Sequence, residues 1–394
     1  MESQLETDVF IVGGGPAGLA AAIAARQKGF RVTVADCARP PIDKACGEGL
    51  MPDAVATLRR LGVNIGPHEA YPFAGIRFIE GKTSVESAFP CGFGLGIRRT
   101  TLHRILVQSA CEAGVSILWG VHVEGPCTGG MVVGGSTIRC RWIVGADGQK
   151  SRVRRWAGLD QCRQQIRFGS RCHFRVRPWT DCVEVHWGPG CQIVITPVGP
   201  TELGVALLSR NPRLRLEEAL SLFPEIQTRL KGAPTTTTER GAVSAQRSLK
   251  IVCRDPFALL GDASGSVDAI TGEGLCLAFQ QAAWFAESLA GNDLGLYQAA
   301  HRRIARLPAF MSGLMLSMDR HPWLRHGVLR AFAARPSIFS RFLATHVAAL
   351  PGACPEAGPE KQPLRFAQDR RGRRLACAHG RNSRQWPSQS VYYT

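Results

Sequence analysis

Residues 8–36 carry a pattern that few folds can accommodate. Asp8-Val9-Phe10-Ile11-Val12 is a short apolar run, as a buried parallel strand requires. It leads directly into Gly13-Gly14-Gly15-Pro16-Ala17-Gly18, with the spacing Gly13-x-Gly15-x-x-Gly18. The alanine-rich stretch Leu19 to Lys28 predicts a helix, and Gly29 is a fitting stop for it. Arg31 to Asp36 predicts a second strand that ends in an acid. Each part has a physical task. Gly13 permits the tight turn, Gly15 leaves bare backbone for a pyrophosphate, and Gly18 lets the helix pack against the strand. Pro16 and Ala17 complete the phosphate-binding turn, where a helix N-terminus offers free N–H groups and the positive end of its dipole. Asp36 is placed to accept hydrogen bonds from ribose hydroxyls. This unit alone does not separate FAD from NAD(P).

Two later segments add to it. Arg141 to Ala146 predicts a strand running into Asp147-Gly148. Pro256-Phe257-Ala258-Leu259-Leu260 predicts another, ending in Gly261-Asp262-Ala263-Ser264-Gly265. The chain then passes through Thr271-Gly272-Glu273-Gly274 into a long helical stretch, Leu275 to Leu289.

The order of these three motifs resembles the flavoproteins of the p-hydroxybenzoate hydroxylase fold, over residues 8–345. Lys44-Ala45-Cys46-Gly47-Glu48-Gly49-Leu50 and Thr271-Gly272-Glu273-Gly274 are similar to segments of the geranylgeranyl reductase-like branch. The resemblance implies FAD as cofactor. It implies that Asp262, after Gly261, binds the ribityl chain, and that Asp147 and Gly148 lie near the pyrophosphate and ribityl. It also implies that Arg99 starts a helix near the flavin nucleotide. Gly272 and Gly274 would form a late turn, with the following helix aimed at the flavin N1/C2 edge, where negative charge develops on reduction. The implied fold class is α/β: a Rossmann-like FAD-binding domain with an inserted antiparallel β-sheet substrate domain and C-terminal helices. The expected boundaries are 1–80, 98–160 and 250–295 for the FAD-binding domain, and 81–97 and 161–249 for the substrate domain. A helical region follows at 296–350, and 351–394 reads as a disordered tail.

The inserted region shows three runs that predict strands, Cys182–Trp187, which alternates apolar and polar residues, Cys191–Thr196 and Leu203–Leu208; the resemblance implies that three antiparallel strands in this position form the sheet that roofs the flavin. Trp187 reads as packing rather than pocket lining. Residues 296–350 interleave Phe310, Trp323, Phe332, Phe339 and Phe342 with eight arginines against one acid, Asp319. They fit a cap over the substrate site or a peripheral membrane contact. The formal charge of +17 includes a basic C-terminal stretch, but no zinc finger, RNP segment or basic zipper accompanies it, so nucleic acid is not an expected partner. The fourteen cysteines are scattered, without CxxC pairs or metal-ligand spacing, so they read as reduced thiols of a cytoplasmic protein, and no metal site is expected.

The expected function is an FAD-dependent oxidoreductase acting on a hydrophobic small molecule. Hydride delivery to a C=C bond is favoured over hydroxylation of an aromatic or polyketide substrate, because Gly265 stands after Gly-Asp-Ala-Ser and that loop lacks the prolines and Asn of many hydroxylases. A non-catalytic FAD-binding protein is the third alternative. Cys46 and Glu48 are candidate proton donors by family analogy; the competing reading is that Gly47 and Gly49 merely shape the loop. No second dinucleotide fingerprint follows the first. The electron donor is therefore either transiently bound NAD(P)H or a partner protein.

Overall fold

The apolar runs read as parallel strands lie side by side in one sheet of the computed structural model, which describes residues 6–160 and 163–347. The expectation for 351–394 lies outside the described residues. Val9–Val12 pairs in parallel with both Trp142–Gly145 and Val32–Asp36; Phe257–Leu259 and Ser116–Trp119 extend the sheet on either side. Every residue of Val9–Val12 and Trp142–Gly145 is buried, which is why those segments carry no alternation. The helix Pro16–Gln27 packs against Arg99–Glu112 and Gly274–Ala290. Its run of Ala20, Ala21, Ala22, Ala24 and Ala25 permits that close approach. Phe279 and Phe285, fully buried on Gly274–Ala290, contribute about 2–3 kcal/mol each from removal of apolar area from water.

Among the described residues a second sheet has the order Arg240–Ser248, Arg163–Phe174, Glu202–Ser209, Cys191–Gly199, Cys182–Gly188, Gly75–Glu80, Thr83–Ala88. The three predicted antiparallel strands are its centre. Two of the expected features differ. Gly75–Glu80 was expected in the FAD-binding domain but forms a hairpin with Thr83–Ala88 and pairs with Cys182–Gly188, so a boundary at residue 80 cuts a hairpin. That pairing is parallel, so the sheet is mixed rather than antiparallel. The physical reason is non-local: Ile76 and Phe78 join Val183, Val185 and Trp187 in one apolar cluster. In addition, Gly94–Gly96 pairs with Gly49–Leu50 and Tyr71–Phe73 in a small separate sheet.

Both faces of the large sheet are covered. Val183, Val185 and Trp187 meet Met315, Phe332 and Phe339 of the C-terminal helices, while Ile193, Ile195 and Leu207 meet Leu216, Phe223 and Ile226. Trp187 is packing: it lies edge-on to Phe78 with the Arg325 guanidinium over its ring. The C-terminal region forms Leu294–Arg320, Pro322–Ala334 and Pro336–Val347; the second and third helices begin at proline, whose missing N–H is tolerated there. Arg325 pins the cap to Glu80 at 2.5 Å, and Gln192 donates to Asp319 at 2.5 Å. No helix of the described residues is long and apolar enough to cross a membrane.

Candidate active site

A cavity of about 770 Å³ runs between the two sheets. One half is built by the glycine-rich turns. Gly13 has φ +113°, and a Cβ there would stand 2.4 Å from the Ala146 carbonyl oxygen, so the turn needs glycine twice over. A Cβ on Gly15 or on Gly274 would meet no protein atom within 4 Å, so both leave bare backbone facing open space. Pro16, Ala17, Gly272 and Leu275 complete these turns along the cavity wall. Asp36 ends its strand as expected; its two carboxylate oxygens accept from Gly14 N at 2.7 Å and Ala38 N at 2.8 Å. Asp147 accepts from Arg152 N and Val153 N through Oδ2, so it orders the next helix as well as lining the cavity. Gly148 follows it with φ +77°. Gly261 (φ +58°) donates its amide to Gln281 at 2.7 Å, and Asp262 Oδ2 receives Lys44 Nζ at 3.0 Å. Arg99 begins the helix Arg99–Glu112.

These residues fit FAD. Arg99 Nε and Asp147 Oδ1 line the same cavity as buried polar atoms without a hydrogen-bond partner, a donor suited to phosphate and an acceptor suited to a hydroxyl. The bare amides at the start of Pro16–Gln27 suit the pyrophosphate. Two neighbours of this half carry no motif signal: Gln281 and His103. His103 Nε2 lies 2.9 Å from the Gly14 carbonyl oxygen, and burial holds the imidazole below its ordinary value, so the ring is the neutral donor that fixes the turn.

The other half of the cavity is apolar. Ile76, Phe78, Val183, Val185, Val194 and Leu208 face it from the large sheet, and Met315, Phe339, Phe342 and Leu343 close it from the helices. The one polar side chain along these strands and helices, among the described lining residues, is Thr196, whose hydroxyl donates to Gly47 O at 2.8 Å.

The loop Lys44–Leu50 separates the halves. Glu48 is buried there with φ +59°, unusual for a side chain of its size. Its Oε1 accepts Arg99 N at 2.8 Å, and its Oε2 lies 2.5 Å from His173 Nε2. Cys46 accepts the Glu48 amide at 3.3 Å, and burial pushes its thiol up. Glu273 precedes the helix Gly274–Ala290 without capping it; it lies instead in a buried group with Asp53 and Cys276.

Turn, acids and roofed apolar cavity define a flavin-dependent oxidoreductase. The sequence matches the FAD binding domain family over residues 6–292, and the chain belongs to that family. It is 29% identical to a menaquinone reductase of Mycobacterium tuberculosis over 322 residues, 73% of this chain and 77% of that protein. It is 26% identical to a digeranylgeranylglycerophospholipid reductase of Methanothermobacter thermautotrophicus, covering 68% and 73%. Identity to a 6-methylpretetramide 4-monooxygenase of Streptomyces rimosus is 28% over 371 residues, covering 80% and 85%.

Proposed function

We propose that this protein is an FAD-dependent reductase that saturates a C=C bond of an apolar, isoprenoid-like substrate. The observation that carries this reading is the lining of the substrate half: aliphatic and aromatic throughout, with the Thr196 hydroxyl its one polar side chain among the described residues. A buried carboxylate or phosphate on the substrate would find no cation along those walls, and an unpaired buried charge costs several kcal/mol. An extended hydrocarbon meets no such penalty. The names of the menaquinone and digeranylgeranylglycerophospholipid reductases support the same class.

FAD, when bound, supplies two-electron hydride chemistry. Asp36 would hold its ribose, Asp262 its ribityl chain, and Arg99 with the Gly13–Gly18 turn its phosphates. The helix Gly274–Ala290 would place its N-terminal amides at the ring edge where charge accumulates. The apolar walls exclude water and align the substrate chain. Electron balance requires a reductant, either NAD(P)H bound transiently or an electron-donor protein.

The monooxygenase alternative rests on the long match to the Streptomyces enzyme. One experiment separates the two. The holoenzyme is reduced anaerobically and mixed with aerated buffer while its visible spectrum is followed. The reductase reading expects a direct return to the oxidised spectrum, and reduced holoenzyme should add two hydrogens to geranylgeraniol by mass spectrometry. A distinct long-lived spectral species before reoxidation, with no product from geranylgeraniol, would overturn it.

A further inference from the structure

We propose that Thr237, His173 and Glu48 form a proton line from the surface to the junction of the two cavity halves, and that Glu48 gives the proton that completes C=C reduction. This rests on the reductase reading above. Hydride addition supplies two electrons and one hydrogen; the second carbon still needs a proton, in a cavity half whose strands and helices present no acid.

Glu48 stands where that proton is needed. It lines the cavity, is 2% exposed, and holds a left-handed backbone that costs about 1–2 kcal/mol for a non-glycine residue. Several contacts fix it there. Glu48 O accepts Ile97 N at 2.8 Å, Oε1 accepts Arg99 N, and Oε2 meets His173 Nε2 at 2.5 Å. Gly204 keeps the approach open, since a Cβ there would lie 3.3 Å from Oε2. Strain of this kind persists where the surroundings over-determine it, and it concentrates at functional positions.

His173, fully buried on Arg163–Phe174, connects Glu48 to the outside. The His173 amide donates to Thr237 Oγ1 at 3.2 Å, so the Thr237 hydroxyl hydrogen is free for Nδ1, 2.9 Å away. Arg171 Nη1, a donor only, lies 3.2 Å from the same nitrogen. Two donors on Nδ1 make it the acceptor, so Nε2 carries the hydrogen and points it at Glu48. Thr237 is half-exposed. The charged group against the pair is Arg171, whose Nε lies 3.6 Å from Glu48 Oε1 and whose Nη2 is held by Asp43 at 2.5 Å. Cys46, the other candidate, offers its sulfur to the Glu48 amide and has its thiol pushed up by burial.

The transfers balance. Nδ1 takes the Thr237 proton, which water replaces. The Nε2 proton passes to Oε2. The Glu48 carboxyl then protonates one alkene carbon while the hydride bonds to the other, breaking the π bond. The reductant loses one hydrogen and two electrons as hydride, and the second hydrogen of the product is the proton drawn from water through the line.

The test uses full-length holoenzyme labelled with ¹⁵N-histidine, with His173 assigned through H173Q. Near neutral pH its ring should be the Nε2–H tautomer, and its Nε2 resonance should move in E48Q. An Nδ1–H tautomer, or a resonance indifferent to E48Q, overturns the line. With geranylgeraniol and excess reductant, E48Q should lose about 100-fold in kcat with KM within about threefold and FAD content unchanged. T237V, a change at a half-exposed position, should lose about tenfold and show an enlarged solvent isotope effect, which a purely structural hydroxyl would not produce. Parent-like kcat in both variants overturns the proposal. A parent enzyme that leaves geranylgeraniol untouched counts against the reductase reading; the tautomer measurement then decides the proton line by itself.

Discussion

Gly18 sits so close to Gly13 that a Cβ on Gly18 would stand 1.9 Å from the Gly13 carbonyl oxygen. Backbone cannot yield that distance, so G18A must open the turn. Gly15, three residues earlier, has open space where its Cβ would go. The two glycines are therefore needed for different reasons, fold in one case and ligand in the other. G18A should lower apoprotein stability by about 1–3 kcal/mol, the usual range for overpacking. G15A should leave the apoprotein melting temperature unchanged and weaken FAD binding at least tenfold, about 1.4 kcal/mol. Thermal melts of the apoproteins and flavin-fluorescence titration read both effects. Equal melting losses would remove the distinction.

Asp262 meets Lys44 at 3.0 Å with both side chains partly exposed, so this ion pair contributes little to stability. Its value as an acceptor for a ribityl hydroxyl is separate. D262A should keep the apoprotein melting temperature within about 2 °C while FAD affinity falls about tenfold or more, as for loss of a charge-assisted hydrogen bond. Equilibrium dialysis against FAD measures it. Parent-like retention of FAD would show that Asp262 has no part in holding the cofactor.

How much of this was legible follows from locality. The cofactor turns are read from contiguous residues: Val9 to Asp36 contains strand, turn, helix and acid in one stretch, and the structure places them as that spacing predicts. The partners of those turns are distant in sequence. Nothing near Lys44 announces Asp262, and nothing near Glu48 announces His173. The strand Arg163–Phe174 escaped because its buried residues include Arg167, Arg171 and His173, which carry no apolar alternation. Their burial is understood only with the partners in place: Asp268 for Arg167, Asp43 for Arg171, Glu48 for His173. The expected domain boundary at residue 80 cuts the hairpin of Gly75–Glu80 with Thr83–Ala88 for the same reason, since the strand partner Cys182–Gly188 lies far along the chain.

His301 gives a pH dependence with a definite sign. Burial and the neighbouring Arg302 push its imidazole down to about 4, and Nε2 lies 3.0 Å from Ser264 Oγ. The folded chain thus holds His301 neutral. As pH falls below about 6.5, the unfolded chain binds the proton first, and stability drops until the folded-state value near 4 is reached. The loss from this group is on the order of 3 kcal/mol. H301Q keeps a hydrogen-bonding side chain without the titration. Urea midpoints of parent and H301Q should therefore converge on acidification from pH 7 to 4, with the parent falling more steeply. Parallel profiles would show that His301 does not titrate as its burial implies.

The cap helices bear on how an apolar substrate reaches the cavity. Phe310 and Trp323 are 66% and 73% exposed, and Arg302, Arg303, Arg306, Arg330 and Arg341 are exposed on the same three helices. Their one acid among the described residues, Asp319, is buried and pairs with Arg210. Exposed aromatic side chains among exposed arginines suit the interface of an anionic bilayer, and Met315, Phe339 and Leu343 of the same cap line the substrate half. We therefore expect the holoenzyme to float with vesicles containing phosphatidylglycerol and not with pure phosphatidylcholine. Raising salt from 0.05 to 0.5 M should release most of it, because surface charges are screened within about 10 Å at 0.1 M. W323A should weaken vesicle binding several-fold while FAD content stays constant. Binding that ignores lipid charge and salt would mean that the arginines serve another purpose, and no binding to either vesicle would mean that the substrate enters from solution.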